Sequence, residues 1–233
     1  MNGYQAEMLL YVLFLGAIIL TFYAQIKVST TFKKYSRVYT GRGMTAAEVA
    51  RKMLNDNGLA YVKIERVGGN LTDHYSPKEE VLRLSDSVYD SASASAVGVA
   101  AHEVGHAIQH SEDYFPIKLR SALVPITNFA SRTTWILILL GVLFYYSFGA
   151  TLVFIGIALF SVTTLFQLVT LPCEFNASHR AMTALEECGR YTKAELSASR
   201  KVLSAAALTY VAALLVSLLQ LLRLISRFSG RRR

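Results

Sequence analysis

The sequence is poor in cysteine, proline and tryptophan, of which its 233 residues include two, four and one, respectively. Cys173 and Cys188 lie fifteen positions apart. If one helix carries both, that separation is about 22 Å, which is too far for a disulfide bond. A disulfide-stabilised secreted scaffold is therefore excluded, and two unpaired cysteines suit a reducing compartment.

Charge is also scarce, since Asp, Glu, Lys and Arg make up only 17% of the chain, against 53% hydrophobic residues. Three long stretches contain no charged residue: Met8–Ile26 with 19 residues, Thr133–Cys173 with 41 and Val202–Leu222 with 21. A spanning helix needs about 20 apolar residues, so the middle stretch is long enough for two crossings. The pattern predicts a mainly α integral membrane protein with about four transmembrane helices, at roughly 8–26, 129–147, 150–171 and 203–222.

We expect the whole chain, 1–233, to form a single membrane-embedded domain. Its first apolar segment lacks a preceding basic region and a small-residue cleavage site, so it is predicted to be a retained anchor rather than a signal peptide. The predicted parts are an anchor helix (8–26), a segment (27–128) containing a helix at 92–110, a transmembrane hairpin (129–171) with a turn at 147–149, a segment (172–201), a last apolar helix (202–222) and a basic tail (223–233).

The distribution of basic residues predicts the orientation. Of the 24 Lys and Arg, 19 lie in 27–132 and 174–201, and none lies in the first seven residues or at 147–149. By the positive-inside rule both basic segments face the cytoplasm, and the net charge of +8 reflects contact with the lipid bilayer. No nucleic-acid-binding motif is present. Four full crossings would place the five remaining arginines outside, which conflicts with the positive-inside rule. The last helix therefore either crosses against this bias or stops short of a full crossing. These residues are Arg223, Arg227, Arg231, Arg232 and Arg233.

His102, Glu103 and His106 form an H-E-x-x-H motif in a stretch, 92–110, whose only helix breakers are two isolated glycines. Residues four apart lie on one face of an α-helix, so the two imidazoles can hold one zinc ion while Glu103 reaches a zinc-bound water. Glu103 is the only charged residue between positions 99 and 108, as a buried catalytic zinc requires. The motif predicts a zinc-dependent hydrolase. The alternative is an ordinary buried helix whose histidines are satisfied by hydrogen bonds.

The motif supplies two ligands, so a third must come from elsewhere. His110 is eight residues after His102. On a continuous helix it would lie about 12 Å further along and roughly 80° around the axis, which argues against a three-histidine site. Glu174 follows Pro172 at the end of the long apolar stretch, so we expect it at the start of a new helix at the membrane surface. There it could complete a His/His/Glu site with a fourth position for water. The alternative is that Glu174 only caps that helix.

The segment between the anchor and the motif is predicted to be α+β. Thr45–Glu48 form a capping box that opens a helix ending at Gly58. Tyr61–Val67 then alternates like a strand, and turns lead into Leu71–Ser76 and Val81–Ser85. These runs predict a small antiparallel sheet of two or three strands. An edge strand of this sheet could receive an extended peptide by β-augmentation, or the strands could merely cover the motif helix.

Four stretches together resemble the YugP-like zinc metallopeptidases, which are bacterial membrane proteases more distantly similar to the CAAX-prenyl-protease and heat-shock-protease-X group. The stretches are Leu71–Tyr75, Val81–Ser85, Val99–Gln109 and Leu171–Ser178. The likeness covers nearly the whole chain, including its hydrophobic layout. It implies a multi-pass protein of the bacterial plasma membrane, with a zincin-like catalytic unit that we expect on the cytoplasmic side.

The same resemblance implies the roles of individual residues in a gluzincin. His102 and His106 would be ligands of one zinc ion per chain, Glu103 the general base and Glu174 the third ligand. In the wider group an aspartate four residues after that glutamate supports a zinc ligand. Ser178 stands at that position here, so in this chain a neutral hydroxyl would support the zinc ligand.

The reaction expected is hydrolysis of a peptide bond in a membrane or membrane-proximal protein. Glu103 would take a proton from the water and pass it to the leaving amine. Candidates for stabilising the oxyanion are His74, Tyr75, His179 and Arg180. We favour His74 because it lies in the candidate edge strand, although a histidine there is more often a structural hydrogen-bonding residue.

Two other classes of protein remain open. A catalytically silent scaffold could keep zinc for structure, but it would need only ligands and not Glu103. A transporter could be lined by polar residues of the apolar segments, such as Thr163 and Gln167. The absence of charged residues from those segments weakens the transporter reading.

Overall fold

The computed structural model describes residues 3–41, 43–144 and 148–229. Helices dominate this part of the chain, and a small sheet lies between the second and third of them. The elements are α1 (Gly3–Tyr35), α2 (Ala46–Asp56), β1 (Lys63–Val67), β2 (His74–Ser76), β3 (Val81–Ser85), α3 (Ala94–Ser111), α4 (Phe115–Leu143), α5 (Ala150–Glu187) and α6 (Lys193–Ser229).

Four of these helices are long and apolar enough to cross a membrane, which confirms the predicted number. The candidate spans are Tyr4–Tyr35, Phe115–Leu143, Ala150–Glu187 and Lys193–Phe228. Each helix is longer than the apolar segment predicted from the sequence, although α4 ends at Leu143, before the predicted end at 147. The predicted turn at 147–149 lies partly outside the described residues, and the basic tail predicted at 223–233 is helical as far as Ser229.

One compact unit comprises the described residues of 1–23, 118–171 and 209–233. Its small apolar cluster includes Ile138, Val153 and Leu224. The helices approach closely at Gly141, where an added Cβ would lie 2.6 Å from Cγ2 of Val153. In lipid the hydrophobic effect does not drive helices to associate, so small residues such as glycine stabilise the contact by allowing the two backbones to pack closely.

The second compact unit comprises the described residues of 24–117 and 172–208 and contains the sheet and the motif helix. The strand order is β1-β3-β2, with β1 parallel and β2 antiparallel to β3. The sheet is therefore mixed, and the predicted purely antiparallel arrangement is wrong. The reason is burial: Val81, Leu82 and Leu84 of β3 are all buried, whereas β1 is mostly exposed. The most apolar strand takes the central place, where both of its edges are paired.

Helix α2 and the sheet pack around α3 to form the core of this unit. Thr45 is the N-cap of α2, and both hydrogen bonds of its capping box with Glu48 are present, as predicted. The core includes Leu54 of α2, Leu82 of β3 and Val104 of α3, each with no exposed surface. The apolar residues of the motif helix are therefore buried by their neighbours, and its polar ones are left for other contacts.

Helix α5 corrects a second expectation. It runs without interruption from Ala150 to Glu187, with Pro172 inside it, so the prediction of a new helix beginning at Pro172 is wrong. A proline removes one helical hydrogen bond, but it is tolerated within long apolar helices where neighbouring groups compensate. Glu174 is consequently in the middle of a helix, and the alternative that it caps a helix N-terminus is also wrong.

Candidate metal centre

The two histidines of the motif face each other on α3. Ser93 caps this helix, accepting a hydrogen bond from the backbone N–H of Ala96 at 3.3 Å. The observed helix, Ala94–Ser111, agrees closely with the predicted 92–110. The ring centroids of His102 and His106 are 4.7 Å apart, with the ring planes at 83°. One turn of helix thus puts the two imidazoles side by side, as the spacing of four predicts.

Glu174 of α5 joins this pair. Its Oε2 lies 3.2 Å from Nε2 of His102 and 3.5 Å from Nε2 of His106, and the glutamate is only 2% exposed. One ligand atom from each of the three residues falls within 4.8 Å of the others, so the group could hold a metal ion. The three residues proposed from the sequence as ligands are brought together although Glu174 follows His106 by 68 positions. Two imidazoles and one carboxylate are a donor set that zinc accepts.

A glycine allows α3 and α5 to approach closely enough for these contacts. A Cβ at Gly105 would lie 2.5 Å from the carbonyl oxygen of Ala177 and 3.2 Å from its Cα. Both atoms belong to the backbone of α5, so they cannot move aside as a flexible side chain would. Gly105 immediately precedes His106, and Ala177 lies between Glu174 and Ser178. The crossing point of the two helices is therefore at the centre of the candidate site.

The outer ring nitrogens of both histidines also have partners. Nδ1 of His102 lies 3.1 Å from the hydroxyl of Ser178, and Nδ1 of His106 lies 3.0 Å from Oε1 of Gln109. The Ser178 contact is at the position that the resemblance singled out. Gln109 was missed by the sequence analysis. Its only signal was a position three residues after His106, which places both side chains on the same side of the helix.

Glu103 reaches the edge of the sheet. Its Oε2 accepts a hydrogen bond from the backbone N–H of Tyr75 at 3.1 Å. Tyr75 belongs to β2, which is an edge strand because, among the described strands, it pairs with β3 alone. The ring of Tyr75 contacts the ring of His110, with centroids 5.7 Å apart. The edge of the sheet and the carboxylate of the motif are thus adjacent, a relationship that the sequence analysis did not specify.

Asp73 fixes the start of this edge strand. Its carboxylate accepts hydrogen bonds from the backbone N–H of Ser85 at 2.7 Å and from the Ser85 hydroxyl at 2.9 Å. Burial raises the pKa of the Asp73 carboxyl, an effect that the hydrogen bonds from Ser85 oppose and the nearby Glu103 carboxylate reinforces. The negative charge of Glu103 therefore acts on Asp73, the residue that immediately precedes β2.

Four other residues considered from the sequence lie outside the group of ligand atoms. His74 is exposed, and its Nδ1 lies 2.9 Å from the carbonyl oxygen of Thr72. His110 contacts Tyr75, and His179 is exposed. Arg180 donates to Oδ1 of Asn176 at 2.7 Å. None of these contacts shows a role in oxyanion stabilisation, which stays a prediction for His74.

Comparisons with known proteins identify the family of this chain. Residues 10–229 match the family described as "Putative neutral zinc metallopeptidase", so the chain belongs to that family. The chain is also similar to a curated protein of Bacillus subtilis (strain 168), "Putative membrane protease YugP". The two are 49% identical over 221 residues, which cover 95% of this chain and 97% of the relative. No solved structure matches the chain.

Proposed function

We propose that this protein is a membrane-bound, zinc-dependent endopeptidase that hydrolyses peptide bonds in membrane or membrane-proximal proteins. The observation that carries the proposal is the convergence of His102, His106 and Glu174 within 4.8 Å. The adjacent residue Glu103 supplies a carboxylate beside an edge strand. A structural zinc site needs only ligands, so the additional carboxylate favours catalysis over a silent scaffold.

The donor set supports a gluzincin with one zinc ion per chain. Nε2 of each histidine faces Oε2 of Glu174, and the outer nitrogen of each ring is held by a neutral side chain. Three protein ligands are the number that catalytic zinc sites use, because the fourth position is left for water or substrate. The partners at the outer nitrogens orient the rings, as is usual for histidine ligands.

In the proposed mechanism, bound zinc supplies Lewis-acid activation of the attacking water and of the scissile carbonyl. Glu103 accepts the proton of the water and delivers it to the nitrogen of the leaving amine, so that one carboxylate acts first as base and then as acid. His102, His106 and Glu174 would hold the zinc ion, with Ser178 supporting His102. His74 remains a candidate for stabilising the oxyanion.

We further propose that the substrate binds as an extended strand along β2. This strand is at an edge of the sheet, and the backbone N–H of Tyr75 points to Glu103 rather than to β3. An extended peptide that pairs with an exposed edge gains main-chain hydrogen bonds whatever its sequence. The scissile bond would then pass the carboxylate of Glu103 directly.

The catalytic unit is proposed to face the cytoplasm from a bacterial plasma membrane. The charge bias supports this orientation, because 19 of the 24 Lys and Arg lie in 27–132 and 174–201. The site itself requires both segments to be on one side, since they contribute His102 and Glu174.

Zinc content and proteolysis together test the proposed function. Wild-type protein should contain stoichiometric zinc and cleave protein substrates, and Glu103→Gln should keep the zinc and lose cleavage. A scaffold would keep zinc without cleavage in the wild type. A transporter with an incidental motif would bind no zinc.

A further inference from the structure

The buried amide of Gln109 lies between α3 and α5 with every polar atom in contact. Gln109 has no exposed surface. Its Oε1 lies 3.0 Å from Nδ1 of His106. Its Nε2 lies 2.8 Å from the carbonyl oxygen of Cys173 and 2.9 Å from Oδ1 of Asn176. An amide that is buried and fully satisfied on three sides is held in a single orientation, because turning it over would cost several of these bonds at once.

The partners on α5 determine which end of this amide is the donor. The carbonyl of Cys173 can only accept, so the atom opposite it must be the amide nitrogen of Gln109. Oδ1 of Asn176 lies 2.7 Å from Nε of Arg180, a group that can only donate. The oxygen of Asn176 is thereby directed to both donors. Two independent constraints therefore point the nitrogen of Gln109 to α5 and its oxygen to His106.

The orientation of the amide determines the state of the imidazole. Oε1 of Gln109 can only accept, so Nδ1 of His106 must carry the hydrogen. In a neutral imidazole this leaves the lone pair on Nε2, the atom that faces Glu174 at 3.5 Å. That is the protonation state a metal ligand needs at this nitrogen.

We propose that Gln109 is a positioning residue that holds His106 in the Nδ1–H tautomer and so presents the Nε2 lone pair to the metal. The inference rests on the proposed function, since it concerns the readiness of a zinc ligand. The same amide also links His106 to the backbone of α5, because it contacts Nδ1 of His106 and donates to the carbonyl of Cys173, the residue before Glu174.

Gln109 differs in this respect from Ser178, the partner of the other histidine. A hydroxyl rotates and can donate or accept, so the contact between Ser178 and His102 does not by itself select a tautomer. The amide of Gln109 cannot rotate in this way without breaking its bonds to α5. Arg180 also forms an ion pair with Glu112, in which Nη1 lies 2.7 Å from Oε2. This ion pair holds the guanidinium group where its Nε donates to Asn176.

The test uses full-length protein in detergent with ¹⁵N-labelled histidine and two measurements. One is zinc affinity by competition with a chelator. The other is the protected Nδ1–H resonance of His106 in the imidazole NMR spectrum, assigned by its loss in His106→Ala.

Gln109→Leu removes the acceptor at similar size, whereas Gln109→Glu keeps an acceptor oxygen opposite Nδ1. Ser111→Ala is the matched control, because this hydroxyl of the same helix bonds only to the carbonyl of Ile108 among the described contacts.

We expect Gln109→Leu to lower zinc affinity about 10- to 100-fold and to remove the protected resonance. Gln109→Glu should keep the resonance, because an oxygen still faces Nδ1 of His106, but it should recover only part of the zinc affinity, because its second oxygen replaces the amide donor to Cys173 and Asn176. Ser111→Ala should change neither. If Gln109→Leu folds with wild-type zinc affinity and an unchanged resonance, the residue is only structural and the inference is wrong. If the wild type binds no zinc, the proposed function fails, and the resonance in the metal-free wild type and Leu variant still decides the inference about the tautomer.

Discussion

The hydroxyl of Ser178 lies 3.1 Å from Nδ1 of His102, while Oε2 of Glu174 lies 3.2 Å from the other nitrogen of the same ring. Glu174 and Ser178 are four residues apart on α5, so they share one face of that helix. A single helical turn therefore contacts His102 through both ring nitrogens. The group at Nδ1 of His102 is thus a neutral hydroxyl.

Ser178→Ala should weaken zinc binding because the ring of His102 loses the contact at its outer nitrogen. We expect about a 10- to 100-fold lower affinity, measured by chelator competition. Ser178→Asp restores an acceptor and should bind zinc at least as well as Ser178→Ala. Equal affinity of the wild type and Ser178→Ala would show that the contact does not support the ligand.

Glu103→Gln should abolish proteolysis without removing the metal, since it deletes the base and keeps a side chain of the same size. Loss of general base catalysis typically lowers the rate about 10²- to 10⁴-fold. Cleavage of a protein substrate and zinc content are measured on the same preparation. Cleavage at the wild-type rate would assign the proton transfer to another group.

Gly105→Ala should disrupt the site through packing alone. The new methyl would meet the backbone of Ala177 at 2.5 Å, so α3 and α5 must separate and draw the histidines away from Glu174. Overpacking of this kind costs about 1–3 kcal/mol of stability, and we expect zinc affinity to fall as well. Gly16→Ala is the control, because no atom of the described residues lies within 4 Å of a Cβ at that helical glycine. Normal zinc binding by Gly105→Ala, measured against this control, would contradict the close approach.

Residues 60 and 190 should lie on the same, cytoplasmic, face of the membrane. Single cysteines introduced as Ala60→Cys and Arg190→Cys, in a Cys188→Ala background, are tested with a membrane-impermeant thiol reagent. Neither should be labelled in intact cells, and both should be labelled after lysis. Labelling of both in intact cells would reverse the orientation, and labelling of one alone would be incompatible with the contact between His102 and Glu174.

The part of the site that lies on one helix could be predicted from the sequence, because helical spacing is a local property. The separation of four between His102 and His106 was sufficient to put them on one face. Glu174 could be proposed because an isolated carboxylate follows a long apolar stretch. Gln109 could not be recognised, since its role depends on which groups of α5 lie opposite it, and no local pattern contains that information.

The fold shows the same limit. The four apolar helices and the capping box of α2 follow from composition and local hydrogen bonding, and both are confirmed. The pairing of the strands depends on burial in the finished unit. Consecutive short strands suggested antiparallel neighbours, but β3 is the most buried and separates β1 from β2. The continuity of α5 through Pro172 likewise depends on surroundings that a local helix-breaking rule ignores.

Glu174 completes the proposed metal centre, and the zinc content of Glu174→Ala tests this role most directly. Two histidines alone are too few for a stable catalytic site. Glu174→Ala should therefore insert and fold but lose stoichiometric zinc and all proteolysis. His110→Ala and His179→Ala should keep the metal, because neither belongs to the group of ligand atoms. Elemental analysis of the purified proteins after metal repletion gives the answer: full zinc occupancy in Glu174→Ala, with zinc lost from either histidine variant, would contradict the proposed site.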